Sequence, residues 1–284
     1  MLRNTTLICI SVVVASLFII PAHTKIYYNQ LMRINKYIAS CTNLSRRKAE
    51  VLVLTGRIKI DSSPVIPVRR ESGKHPAGIQ STAETVTNLA TEVSPSDKVY
   101  LDDKLITPQR FVYYALNKPV GYTTTTSDPH AEKLITNLVP NDPPVFPIGR
   151  LDKDTSGLIF LTNDGDFAQK MTHPKYEKEK EYIFQTDRKL SEESLEKLRK
   201  GIELDDGITA PAKVKSLAKG WTLGSHSGPD QNLYSITIHE GRNRQIRRMI
   251  DAACAKVITL KRIRVGDFEL GDLKEGKYQI FKPK

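Results

Sequence analysis

Apolar positions along this chain recur at two periods, and the alternation between them outlines its elements. Leu31, Ile34, Tyr37 and Ile38 fall at helical spacing. Residues 40–43 break that pattern. Ser45 is placed as the N-cap of a second helix, with Ala49, Val51, Leu52 and Leu54 available to its buried face and Gly56 at its end. Residues 57–60 alternate as a short strand, and 93–101 can add another, turned back by Asp102 and Asp103. Residues 111–116 are aromatic and apolar, a strand running into turn chemistry at 117–121. Residues 158–161 are continuously apolar and read as a buried strand, followed by the turn signal Asn163-Asp164-Gly165 and a short helix over 166–171. The spacing then predicts a strand over 178–184 and a helix over 191–200, capped by Ser191 and closed by Gly201. Strands joined by a tight turn are expected over 201–215, and a further strand over 233–238. A last helix ends near Cys254, its stripe made by Ile246, Ile250 and Ala253. Helices and strands in this mixture give an α+β chain.

Three stretches fall outside that rhythm. Residues 7–20 form an apolar run of 14, preceded by Arg3 and followed by Pro21 and Ala22. That is shorter than the roughly 20 residues that span a bilayer, and it has the form of a secretory signal. A retained membrane anchor is the competing reading. No acidic residue precedes Glu50, and a signal followed by an acid-poor segment predicts delivery to an organelle of plastid type through the secretory route, with the mitochondrion as the alternative. Residues 62–92 are rich in Pro, Ser, Thr and Gly and read as an extended, mobile insertion. Residues 220–232 form a hydrophilic excursion around Trp221.

Charge sharpens the picture. The chain carries 43 Lys and Arg against 32 Asp and Glu, a net charge of +11, which favours nucleic acid or another acidic partner. The imbalance concentrates between residues 31 and 61, where Arg33, Lys36, Arg46, Arg47, Lys48, Arg57 and Lys59 face only Glu50 and Asp61. A solvated helix face is the plain alternative, but so lopsided a count favours an RNA-phosphate surface. The three cysteines, at 9, 41 and 254, make neither a Cys-x-x-Cys pair nor a disulfide framework, and the six histidines are scattered. No metal site and no cofactor is expected.

The candidate chemistry lies before the strand at 158. A polar loop there holds Arg150, Asp152 and Asp154, and a carboxylate in a loop at the mouth of a buried strand is a position where catalytic groups are often held. Gly149-Arg150-Leu151-Asp152, Thr155-Ser156-Gly157-Leu158 and Leu161-Thr162-Asn163-Asp164-Gly165 together resemble the signature of the pseudouridine synthases that modify ribosomal RNA, in the branch that carries an S4 RNA-binding domain ahead of the catalytic one. Asn117-Lys-Pro-Val-Gly121, Lys180 with Tyr182, Glu240 to Met249, Lys261 to Arg264 and Gly271-Asp-Leu273 continue the resemblance.

The leader is expected over 1–30, and the resemblance implies an S4 domain over 31–106, from whose pattern the 62–92 insertion departs. A catalytic domain over 107–284 follows, built on a large, mainly antiparallel sheet with flanking helices. It gives the catalytic part to Asp152 and not to Asp154 or Asp164. Tyr182 is expected to stack on the target uracil and handle the proton on carbon 5. Arg247 is expected to contact the Asp152 carboxylate, where spacing alone suggests only a surface pair with Asp251. Arg150 would fill the space that the target nucleotide leaves or hold a phosphate, and an adjacent guanidinium favours the ionised carboxylate. Lys180, Arg244, Arg33, Arg46, Arg47, Lys48 and Arg57 are expected to face RNA, and the 117–121 segment to support the site. The expected partner is structured ribosomal RNA, handled by a monomer without stable membrane association once the leader is removed. A non-catalytic RNA-binding or ribosome-assembly factor is the alternative, and an aspartate-based hydrolase using Asp152 and Asp154 lacks an acid partner.

Overall fold

The computed structural model describes residues 31–61, 83–126, 131–218 and 232–283. The apolar leader, most of the Pro/Ser/Thr/Gly-rich segment and the excursion around Trp221 lie outside them.

The first unit is built on two helices and short strands. Strand β1 (Met32–Arg33) leads into α1 (Ile34–Cys41), and α2 (Arg46–Leu54) follows. Ser45 caps α2 as expected, its hydroxyl accepting the Lys48 amide at 3.4 Å. Strand β2 (Ile58–Asp61) then pairs with β3 (Glu84–Val86) on one side. Strand β4 (Glu92–Val93) pairs back with β1. On its other side β2 pairs with β5 (Lys98–Leu101), which turns into β6 (Lys104–Ile106). Asp102 and Asp103 make that turn with φ of 49° and 64°, the left-handed pair a two-residue hairpin needs. Ile34, Ile38, Val53, Ile58 and Val99 form the unit's own core, each fully buried.

Two expectations change here. Residues 84–86 are a strand and Glu92 begins another, although both fall in the stretch that reads as an extended insertion. They are too short and polar to show an alternation, and they form because β1 and β2 offer open edges. The single strand expected over 93–101 is split by a turn at residues 94–97, where the Ser94 amide donates to the Asp97 carboxylate at 2.8 Å.

The larger unit is a nine-stranded mixed sheet. Its strands are β7 (Tyr113–Lys118), β8 (Phe146–Ile148), β9 (Ser156–Thr162), β10 (Lys180–Thr186), β11 (Lys213–Ser216), β12 (Leu233–Ile238), β13 (Val257–Val265), β14 (Phe268–Glu269) and β15 (Tyr278–Ile280). The order across the sheet is β11-β12-β10-β13-β9-β7-β15, with β8 on β9 and β14 on β13. Among the described strands of this sheet only β9 and β13 run parallel; the other pairings are antiparallel. Side chains of β9 alternate between two cores, as period 2 requires. Ile159 and Leu161 pack with Leu116, Phe184 and Ile236, while Leu158 and Phe160 pack with Ala115, Val265 and Leu270.

Among the described residues, three α-helices complete the unit. Asp164 caps α3 (Gly165–Thr172), accepting the amides of Asp166 and Phe167 at 2.9 and 3.1 Å. Ser191 caps α4 (Glu192–Lys200), and α5 (Gln245–Ala252) buries Ile246, Met249 and Ile250 against the first of the two cores. The expected pair of strands over 201–215 reduces to β11. Residues 201–212 make a turn instead, closed by Leu204 and Gly207 through both backbone bonds at 3.4 and 3.0 Å.

The two units touch through α1 and α3. Lys36 Nζ reaches both carboxylate oxygens of Asp166, at 2.6 and 2.7 Å. A Cβ placed on Gly165 would lie 3.3 Å from the Arg46 guanidinium, so the N-termini of α2 and α3 are neighbours.

Candidate active site

The loop between β8 and β9 is held from below by its neighbours. Lys118, fully buried, donates from Nζ to the backbone oxygens of Pro119, Asp152 and Thr155 at 3.1, 3.0 and 2.8 Å. The Gly121 amide donates to Lys153 O at 2.7 Å, the Thr124 hydroxyl to Leu151 O at 2.6 Å, and the Thr155 amide closes a tight turn onto Asp152 O at 3.1 Å. The segment read as structural support for the site is therefore a clamp on the backbone of Asp152. With that backbone fixed, the Asp152 side chain points outward and is 32% exposed.

A cavity of about 540 Å³ opens beside it, within the ~300–1,000 Å³ range of pockets that take small organic groups. Asp152, Tyr182 and Arg247 all line it, as do Arg150, Lys180 and Arg244. Its far wall comes from residues 238–247, the end of β12 and the start of α5. Arg244 forms the corner between them in the left-handed region, φ 45°. Gln245 fixes that corner by accepting the Arg242 amide at 3.1 Å and donating to the Glu240 carboxylate.

The ion pairs differ from the expected contact of Arg247 with Asp152. Arg247 reaches Asp154: its Nη2 donates to the Asp154 backbone oxygen at 2.8 Å and its Nε lies 3.3 Å from the carboxylate. That Nε is misaligned for a hydrogen bond, so the second contact is one of charge. The guanidinium beside Asp152 belongs to Arg244, at 3.9 Å, and Arg244 also donates to Asp154 at 3.2 and 3.0 Å. One helical turn explains the exchange. Arg247 starts its turn deeper, where its Nη1 meets Val257 O at 3.3 Å, whereas Arg244 stands at the helix mouth. The surface pair with Asp251 does not form.

Electrostatics follow these contacts. Burial raises the Asp154 carboxyl, but the hydrogen bond from Arg244 and the charges of Arg247 and Arg244 outweigh it and hold the group below the ordinary range. The hydrogen bond to Asp154 raises Arg244, while burial lowers Arg247 against the opposing pull of Asp154. Burial also lowers the Lys180 ammonium, with the charge of Arg262 adding to the effect. Lys180 donates to His239 O and Glu240 O, both at 3.4 Å, tying β10 to the cavity wall.

Tyr182 is 8% exposed, on the face of β10 that packs with Ile246. Its hydroxyl has no hydrogen-bond partner among the described residues. The Arg262 guanidinium carbon lies 6.0 Å from its ring centroid, and Arg262 itself donates to Leu158 O at 2.7 Å. Arg262 joins the cavity wall although the sequence marks it only as part of the 261–264 motif and not as a site residue, because it sits in β13, a strand whose apolar alternation is weak. Asp164 is occupied elsewhere, capping α3 and accepting the Tyr113 hydroxyl at 2.8 Å.

On the first unit, Arg33, Arg46, Arg47 and Lys48 are exposed and make no ion pair among the described residues. Arg57 is different, being paired bidentately with Asp102, as Lys59 is with Asp103 at 2.7 Å. Among the described residues no group of three His, Cys, Asp or Glu is placed to hold a metal.

Residues 112–252 match the family model described as RNA pseudouridylate synthase. The chain is 37% identical over 252 residues to the ribosomal large subunit pseudouridine synthase B of Bacillus subtilis, covering 88% of this chain and 92% of that one. It is 32% identical to the dual-specificity RNA pseudouridine synthase of Escherichia coli, covering 87% of this chain and 74% of that protein. Among solved structures, a pseudouridylate synthase superposes with a TM-score of 0.56 at 28% identity, over 88% of this chain and 96% of the other.

Proposed function

Because the chain belongs to the RNA pseudouridylate synthase family, we propose that it isomerises a uridine of ribosomal RNA to pseudouridine, with Asp152 as the reacting carboxylate. One observation carries the assignment. Asp152 lies partly open at a cavity that also receives Tyr182, and a guanidinium stands 3.9 Å from it. Ribosomal RNA as the substrate is supported by the name of the Bacillus subtilis relative and by the exposed basic face of the first unit, which we read as an S4-type RNA-binding domain.

In this reading the target nucleotide leaves its stack at a cost of a few kcal/mol and enters the cavity. Arg150, exposed on the cavity rim, takes the vacated space or a phosphate. Asp152 acts as base or nucleophile while the C1′–N1 bond breaks. The uracil turns, a C1′–C5 bond forms, C5 gives up its proton and N1 takes one, so atoms and electrons balance without a cofactor. Tyr182, which lines the cavity, assists at C5.

The decisive experiment is Asp152→Asn, purified free of host enzyme and assayed on ribosomal RNA fragments. Isomerisation is expected to vanish while RNA binding stays within threefold of wild type. Turnover by that variant would sink the assignment. For location, we propose an organelle with its own ribosomes, of plastid type or else the mitochondrion, reached by the monomer without lasting membrane attachment. The support is the apolar run and the acid-poor stretch after it. A fluorescent fusion to residues 1–30 that stayed cytosolic or was secreted would overturn it.

A further inference from the structure

Asp154 holds Arg244, the guanidinium beside the reacting carboxylate, together with Arg247. Arg244 approaches it through two nitrogens, Nη1 to Oδ1 at 3.2 Å and Nη2 to Oδ2 at 3.0 Å. Two parallel bonds fix the plane of a guanidinium as well as its position. The same Nη1 stands 3.9 Å from Asp152, outside hydrogen-bond length. Arg247 meets the Asp154 carboxylate at 3.3 Å and its backbone oxygen at 2.8 Å. The backbone carrying the two carboxylates is held fixed, because 152–155 is one tight turn clamped by Lys118.

Charge explains why this arrangement matters. Without Asp154, the nearest anion to Arg244 is Asp152, and the guanidinium would close on it and cover the oxygen that the nucleotide needs. Arg247, 14% exposed in its side chain, would lose its only carboxylate among the described residues. The lowered proton affinity of Asp154 keeps it charged across the neutral range, as a fixed anchor must be.

We propose that Asp154 is a positioning residue for the isomerisation: it holds Arg244 beside Asp152 but short of a direct bond, leaving a carboxylate oxygen open to the nucleotide while a positive charge stays within reach. The proposal rests on Asp152 being the reacting carboxylate. It differs from a structural role, since its effect passes through Arg244.

The test uses the full chain and a ribosomal RNA fragment under single-turnover conditions. Asp154→Ala should lower the saturating rate roughly 100-fold, the scale of a misplacement of about 1 Å, with half-saturation unchanged within threefold. Asp154→Glu, which keeps the charge, should recover part of that loss. In the Arg244→Gln background, Asp154→Ala should cost little more, because residues acting as a unit are non-additive. If Asp154→Ala fails to fold, the isosteric Asp154→Asn is read in the same assay. A wild-type saturating rate, a loss confined to half-saturation, or full additivity with Arg244→Gln would overturn the positioning role. Asp152→Asn runs in parallel: turnover by it removes the carboxylate on which the inference rests, whereas a dead Asp152→Asn beside a wild-type Asp154→Ala overturns the positioning role alone.

Discussion

The ammonium of Lys118 donates to the backbone oxygen of Asp152 at 3.0 Å, and the rest of the loop clamp is arranged around that bond. A fully buried lysine is costly, and burial brings this one down to about 8 against the partial opposition of Asp154 and Asp152. Three carbonyl oxygens use all three of its protons.

Lys118→Met should therefore destabilise the protein by about 2 kcal/mol at neutral pH, since carbonyls are left without their donor. The pH dependence has a definite sign. The folded proton affinity lies below the ordinary lysine value of 10.5, so the unfolded chain binds more protons between about 8 and 10.5, and the Lys118 contribution to stability rises with pH across that window. Activity should move the other way, because a neutral amine has only two donors for three carbonyls and loosens Asp152. Urea unfolding of wild type and variant at pH 7.5 and 9.5, with rates at the same pH values, checks both directions. Parallel curves for the two proteins would refute the argument.

A second prediction concerns the one parallel pairing in the sheet. Gly157 in β9 has φ of 107°, and a Cβ there would run into the backbone of Arg262 in β13. Neither obstacle can yield: one is a backbone conformation closed to L side chains, the other is main chain. Gly157→Ala should cost more than about 3 kcal/mol, seen as a large fall in Tm or as insoluble protein. Gly207 offers the control. It also has positive φ, 99°, but a Cβ there meets nothing, so Gly207→Ala should cost only backbone strain.

These two positions show what the sequence makes legible. The caps at Ser45 and Ser191, the helix stripe through Ile246 and Ile250 and the continuous apolar run of 158–161 are local signals, and each element formed where they lie. Asp152 and Tyr182 were found through motif resemblance, and they share a cavity. What stayed hidden depends on three-dimensional neighbours. β13 lies mid-sheet between β9 and β10, yet its charged run at 261–264 masks it, because those side chains find partners on other strands, such as Glu181 for Arg264 at 2.9 Å. The choice between Arg244 and Arg247 for Asp152 turns on where a helix begins, and a boundary known only to within a few residues cannot decide it. Asp154 is visible in the sequence as a loop carboxylate, but its link to Arg244 and Arg247 is not, since that depends on what approaches it.

Tyr182 leads to a third prediction. Its ring is buried by Ile246 and faced by Arg262, while its hydroxyl makes no hydrogen bond within the described residues. Tyr182→Phe keeps the ring and removes only the hydroxyl. Fold and RNA affinity should be unchanged, with Tm within a few degrees. The rate should fall about 100-fold if the hydroxyl assists proton removal. RNA tritiated at C5 of the target uridine reads that step directly through release of label. Wild-type release would limit Tyr182 to stacking.

The last prediction separates folding from binding on the first unit. Arg46, Arg47 and Lys48 occupy the first turn of α2, which has no acidic residue. Positive side chains there oppose the helix dipole, each at a cost of roughly 0.3–1 kcal/mol. They make no ion pair among the described residues to offset it, unlike Arg57 and Lys59 nearby. A fold that tolerates such charges has a use for them elsewhere, and phosphate is the partner that basic side chains and helix-terminal amides suit together. Replacing all three by Gln should thus leave Tm unchanged or raise it, while weakening RNA binding. The plot of log K against log salt should flatten by up to about 2, near 0.7 for each lost phosphate contact. Their place beside the N-terminus of α3, whose far end reaches the cavity rim at Thr172, puts those phosphates within one nucleic-acid path of Asp152. A triple variant with an unchanged salt slope would move the RNA path to another face of the molecule.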